Sequence, residues 1–242
     1  MNFRNSFLLV AVLMVMNISC IARPKPKVLI FCKTAGFHHE SIAVGIPAII
    51  KLGKENNFDV DTTTNSSKFN ADNLKQYAAV IFLSTTGDVL NNEQQAAFEQ
   101  YIRAGHGFVG VHAATDTEYD WPWYGGLVGA YFKSHPAKQQ EAKLDVVNRD
   151  FAATKHLPAT WQRLDEWYNY KWIAPDLQVL IKIDEGSYTG GENGANHPMS
   201  WYHQYDGGRA FYTALGHTDA SYAEPLYLKH LLGGIQYAIN NK

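Results

Sequence analysis

The chain has 242 residues, 46% of them hydrophobic and 18% charged, with a formal net charge of −2. Such a length and apolar content suit one large domain with a sizeable core and exclude an intrinsically disordered chain. The near-neutral balance, with no basic block, excludes the electrostatic footprint of a nucleic-acid binder.

Residues 1–22 read as a signal peptide, 23–27 as a stiff basic linker and 28–242 as the folded domain. Arg4 precedes an apolar run from Phe7 to Met16 that is too short to span a bilayer. Two processing routes fit the small residues that follow. Cys20-Ile21-Ala22 suits an ordinary signal peptidase, whereas Ser19-Cys20 suits a bacterial lipoprotein site, although Asn17 stands where leucine is usual. The position of Cys20 just beyond the run favours the second. Either route exports the protein, to the periplasm or as a membrane-anchored lipoprotein, and the membrane is then met only through a lipid on Cys20. Cys32 remains as the single free thiol, so the domain is expected to stand without a disulfide. Its place in an apolar strand predicts a structural, unreactive thiol.

The domain opens with a near-continuous apolar strand over 27–32, followed by a loop carrying His38 and His39. Ser41 is placed to cap a helix whose apolar positions Ile42, Ile46, Ile49 and Ile50 share one face. A second strand is predicted over 58–62, a short helix over 70–77 and a buried strand over 78–84. Residues 91–104 read as an amphipathic helix stopped by Gly105. This alternation predicts an α/β, doubly wound, mostly parallel sheet with helices on both faces. Beyond His112 the pattern changes. Strands are predicted over 143–147 and 177–183, an added hairpin over 199–215 around Asp206-Gly207-Gly208, and a last helix over 224–240.

The stretch from Gly105 to Asp116 organises the whole. Phe108 to Val111 is a short β-forming run that ends abruptly on His112, with small residues at Gly110 and Ala114. That spacing looks like a nucleophile elbow, a tight strand-to-helix turn that projects its central side chain. A histidine there titrates near neutrality and suits proton transfer better than acyl attack. His38, Glu166 and His217 also follow predicted strands, and ligand sites of open α/β sheets gather at strand carboxyl ends, so these four are expected to converge. His112 is read as base, Glu166 as its orienting or acid partner, and His217 or His38 as polarising donor. Trp121, Trp123 and Tyr168 are candidates for an aromatic wall against a sugar ring, with His39 and Asp116 completing the binding set. No Gly-x-Ser-x-Gly, no dinucleotide fingerprint, no His-Glu-x-x-His and no cysteine pair occurs, so neither cofactor nor metal is expected.

Gly36-Phe-His-His39, Gly105-x-Gly-Phe-Val-Gly-Val-His-Ala-Ala114, Asp165-Glu-x-Tyr168 and the segment from Gly208 to Thr218 resemble the ThuA-like (trehalose utilisation) family of the class I glutamine amidotransferase-like superfamily. The resemblance implies a flavodoxin-like fold and a link to disaccharide catabolism through 3-keto sugars. The amidotransferases carry cysteine at the elbow where this chain has His112, which removes glutaminase chemistry. His106 stands where this family usually has glycine, a strained choice if its φ is positive. Together these readings point to an exported carbohydrate-processing enzyme acting on a glucoside, a disaccharide or its 3-keto derivative. The alternatives are an inert periplasmic sugar-binding protein and a metal-dependent hydrolase.

Overall fold

The computed structural model describes residues 25–239; the segment read as a signal peptide, Cys20 and the first two linker residues lie outside the described residues. The first half alternates as expected: β1 (Lys27–Phe31), α1 (Ile42–Glu55), β2 (Asp59–Thr63), α2 (Ala71–Leu74), β3 (Ala79–Leu83), α3 (Asn92–Arg103) and β4 (Gly107–Val111). β3 and β4 are buried at every position, because helices cover both faces of a parallel sheet. Asn91 and Gln94 form a reciprocal capping box that fixes the start of α3. Ser41 stands at the expected N-cap of α1, yet its side chain makes no cap bond. Its Oγ donates instead to the Gly216 carbonyl at 3.1 Å, tying the helix start to the loop that carries His217.

The second half supplies α4 (Pro122–Val128), β5 (Ala130–Ser134), β6 (Gln140–Val146), β7 (Thr160–Asp165), β8 (Asn169–Ile173), β9 (Gln178–Ile183), β10 (Pro198–Tyr205), β11 (Gly208–Thr213) and α5 (Pro225–Ile239). The main sheet has nine strands in the order β2-β1-β3-β4-β11-β10-β9-β6-β7. β2, β1, β3, β4 and β11 run parallel, and the rest are antiparallel. The predicted hairpin is therefore not an appendage: β11 completes the parallel core beside β4, and β10 turns the sheet antiparallel. β7 hides from a hydrophobicity reading because two of its inward residues, Arg163 and Asp165, are charged and paired with each other. β5 and β8 form a separate two-stranded ribbon over the carboxyl edge.

Cys32 is buried just beyond β1, where burial pushes its thiol up and keeps it uncharged. Cys32→Ala is expected to leave activity within about twofold of wild type, read as kcat/KM on whatever substrate is turned over; loss of turnover with intact circular dichroism would restore a thiol mechanism. No helix among the described residues is long and apolar enough to cross a membrane.

Candidate active site

β4 ends in a turn whose first residue, His112, holds a left-handed φ of 49°. That conformation is unfavourable for a residue with a side chain, and the surroundings enforce it. The His112 carbonyl accepts the Tyr212 hydroxyl at 2.7 Å, and the Ala114 carbonyl accepts that of Tyr124 at 2.7 Å. Gly110 is small of necessity, since a Cβ there would lie 2.9 Å from the Tyr212 ring and 3.2 Å from Ala114 Cβ. The elbow expected at this strand end is thus built, and it aims an imidazole inward.

His112 is fully buried, and its Nδ1 stands 2.9 Å from the Ala214 carbonyl. A carbonyl only accepts, so Nδ1 carries the proton and donates, and in the neutral ring Nε2 presents a lone pair. Nε2 faces His217 Nδ1 at 3.2 Å and Glu166 Oε2 at 3.4 Å. Those two partners are themselves 3.2 Å apart. His39 closes the group from the loop after β1: its ring centroid lies 4.7 Å from that of His112 and 5.4 Å from that of His217. His39 Nε2 stands 3.4 Å from the Tyr168 hydroxyl, while its buried Nδ1 has no partner. One ligand-capable atom from each of His39, His112, Glu166 and His217 falls within 4.8 Å of the others. These are the residues able to hold a metal ion among the described ones.

Electrostatics divides the four. Burial pushes the Glu166 carboxyl up, but the His112 and His217 imidazoles beside it outweigh burial and hold it well below the usual carboxylate range. Burial lowers His217, yet its bond to Glu166 and the charges of Glu166, Asp165 and Asp219 raise it above an ordinary histidine. His39 is pulled down to about 3, by burial first and then by His112 and His217, and so stays neutral. Glu166 and His217 therefore form the charged pair, and His39 contributes a bare lone pair.

Two clefts open over this floor. One, of about 270 Å³, is lined by Phe37, His39, Asp116, Phe132, His135, Glu166 and Tyr168. The other, of about 340 Å³, shares Phe37 and His39 and adds Glu40, Gln139, His217, Thr218 and Asp219. Phe37 is 66% exposed, an unusual position for a large apolar ring. Asp116 stands in the wall of the first cleft with Tyr119 Oη donating to its Oδ1 at 2.5 Å; burial, against that bond, raises its carboxyl. His135 Nδ1 lies 3.3 Å from Glu166 Oε1 at the cleft surface.

The trehalose utilisation family, ThuA, matches residues 27–238. The chain belongs to the ThuA family. Among solved structures it is similar to a putative ThuA-like protein from Bacteroides uniformis, with 24% identity, 90% of this chain and 93% of that one covered, and a TM-score of 0.77. It is also similar to a putative ThuA-like protein from Parabacteroides merdae, with 23% identity, 91% of each chain covered, and a TM-score of 0.72. At these identities the two likenesses speak for the fold, which agrees with the mostly parallel core described above. No curated protein matches the chain.

The expected convergence of ThuA motif residues is met by His112, Glu166 and His217, each just past a strand, but His39 joins them in place of His38. The His38 side chain is exposed, with its Nδ1 3.3 Å from Thr34 Oγ1, because adjacent loop residues point to opposite sides. His38→Ala is expected to leave kcat and KM unchanged in a turnover assay; a large loss would return His38 to the site. The aromatic wall also needs correction. Trp121 stacks on Trp123 at 5.2 Å and bonds Glu99 of α3, and Trp123 bonds Asp206 in the β10–β11 turn. That turn precedes Gly208-Arg209, and Arg209 pairs with Gly107 at the amino end of β4, so the tryptophans occupy the edge opposite His112. Tyr168 does stand at the site, its ring 4.5 Å from that of His112 and 4.3 Å from that of Phe132. The turn that leads into β4 carries no strain at His106. The left-handed residue there is Gly105, with φ 93°, and the His106 ring stacks on Tyr101 at 4.3 Å.

Asp165 is the residue whose role the motif did not disclose. Fully buried, it accepts the backbone N–H groups of Glu166 at 3.0 Å, Gly216 at 3.1 Å and His217 at 3.1 Å, and pairs with Arg163 at 3.0 Å. One carboxylate thus fixes two members of the cluster that arrive from β7 and β11. Gly216 between them has φ 107° and approaches the Tyr227 hydroxyl so closely that a Cβ would lie 2.3 Å away.

Proposed function

We propose that this chain is a carbohydrate-processing enzyme acting on a glucoside, a disaccharide or its 3-keto derivative. The observation that carries this is the pair of clefts over the buried His–Glu floor, in which aromatic faces stand beside acid/base groups. Phe37, Phe132 and Tyr168 offer ring faces to a pyranose while Asp116, His135 and Glu166 meet its hydroxyls. Membership of the trehalose utilisation family supports a carbohydrate role.

A carbonyl at C3 of a hexose acidifies the proton on C2, so elimination or isomerisation can begin with one base and one group that takes the developing charge on oxygen. His112 was the base expected from sequence, but it is fully buried beneath the cleft floor and lines neither cleft. It acts through Glu166 and His217. Asp116 is the carboxylate open to a ring carbon, set apart from Glu166 and steadied by Tyr119. It takes the C2 proton. His217, carrying the positive charge of its pair with Glu166, faces the oxygen. Two carboxylates whose environments push them in opposite directions, Asp116 up and Glu166 down, suit this division of labour.

The test is turnover and binding on a panel of oxidised and unoxidised glucosides and disaccharides. Conversion of the 3-keto members supports the reading. Saturable binding with no conversion of any member replaces it with an inert sugar-binding protein. Export from residues 1–22 belongs to the same reading, and mass spectrometry of the native N-terminus should find a start near Cys20 or Ala22. An intact Met1 in exported protein would overturn it.

A further inference from the structure

The three atoms at the centre of the cluster make a triangle of unusual shape. His112 Nε2, His217 Nδ1 and Glu166 Oε2 stand 3.2, 3.2 and 3.4 Å apart. A proton on His217 Nδ1 satisfies the two edges that meet there. The third edge sets the His112 lone pair against a carboxylate oxygen, with nothing between them to bond. Buried acceptors that face each other in this way need a shared positive centre. Around a tetrahedral ion with ligands at 2.0–2.1 Å, neighbouring donor atoms lie about 3.3 Å apart, which is the spacing seen here.

The surroundings agree. His112 donates its far nitrogen to a backbone carbonyl, as metal-bound histidines do, and this fixes the tautomer that presents Nε2 inward. His39, 3% exposed, brings a further nitrogen within 4.8 Å of the triangle and holds an Nδ1 without any partner. Asp165 pins the backbone of both Glu166 and His217, so that two of the donors are held from behind. Three imidazoles and a carboxylate suit a borderline-soft divalent ion and not calcium or magnesium, which prefer all-oxygen cages.

We propose that His39, His112, His217 and Glu166 bind one divalent transition-metal ion of the zinc type, a site the sequence pattern did not announce because its ligands come from four separate segments. The ion takes the place of the proton on His217 as the positive centre of the floor. Its substrate-facing side suits a vicinal carbonyl and hydroxyl, the two oxygens a 3-keto sugar offers to a chelating cation. That last step rests on the proposed function; the ion site does not.

The experiment strips the protein with a chelator, then titrates it with Zn²⁺ by calorimetry and with Co²⁺ by visible absorption. One equivalent is expected per chain, with Co²⁺ bands characteristic of a low-coordinate nitrogen–oxygen site. Glu166→Gln and His217→Ala, both checked for fold by circular dichroism, are expected to bind at least about 100-fold more weakly. His38→Ala, one residue from the site, should bind as wild type does. No saturable binding to folded wild type overturns the site. Wild-type affinity in both ligand variants overturns it too, since the ion would then sit elsewhere. One bound equivalent without turnover of any sugar supports the site and removes the sugar chemistry; sugar turnover by folded protein that binds neither ion saturably does the reverse.

Discussion

Asp116→Asn is expected to lower kcat on a 3-keto glucoside by about 10²–10⁴-fold, the range a positioned proton-transfer group supplies. KM should change little, because asparagine keeps the size of aspartate and still accepts the Tyr119 hydroxyl. The split between the two constants is the informative part. A group that works only in the transition state takes kcat down alone, whereas lost ground-state binding raises KM. The pH dependence has a definite sign. Burial raises the Asp116 carboxyl, so the wild-type rate should climb with pH on an acidic limb displaced upward from an ordinary aspartate, and the variant should lack that limb. A raised KM at unchanged kcat would make Asp116 a hydroxyl contact and pass the base role to His135.

The second large effect is on stability and falls on a residue away from the substrate. Asp165→Ala leaves the Arg163 guanidinium, 4% exposed, with Glu224 and Ser221 as its remaining hydrogen-bond partners, and strips three backbone N–H groups, that of Gly216 buried, of their acceptor. Breaking a buried charge pair by removing one partner costs about 3–5 kcal/mol. In a domain of this size that corresponds to a melting temperature lower by roughly 10 °C, read by thermal denaturation. Asp165→Asn keeps the shape and an acceptor oxygen and should lose much less stability, while still loosening Glu166 and His217. Its distinguishing readout is metal affinity, expected to fall about 10–100-fold as for other groups that orient ligands from behind. A variant that melts early but binds metal as tightly as wild type would make Asp165 structural only.

The parallel half of the fold was legible because its signals are strong and local. Continuous apolar strands such as β3 need burial on both faces, and α3 carries both its cap and its stop in sequence. β7 was missed because its inward residues include Arg163 and Asp165, which only a partner across the core makes tolerable. The same logic governed the site. His112 and His217 follow strands legible in the sequence and could be placed by topology alone, whereas Glu166 follows β7. His39 and His38 are adjacent, and no periodicity in a loop says which one turns inward. His135 follows β5, a strand without alternation, so nothing marked its carboxyl end. Trp121 and Trp123 misled for a plain reason. Large aromatics next to a functional loop are as useful for packing a short helix as for stacking a sugar, and Asp206 and Glu99 draw them to the opposite edge. The ion site was invisible to motif spacing because its four ligands are far apart in the chain.

The most direct measurement is proton exchange at C2. A 3-keto glucoside incubated with the protein in deuterated water is followed by NMR, with Asp116→Asn and Glu166→Gln alongside. Removal and return of the C2 proton at this site should wash deuterium into C2 with wild-type protein, slow the wash-in about 10²-fold or more with Asp116→Asn, and weaken it with Glu166→Gln. Wild-type protein that is folded, metal-loaded and saturated with the keto sugar, yet exchanges C2 no faster than buffer, would contradict the proposal that this cleft performs proton transfer on a keto sugar.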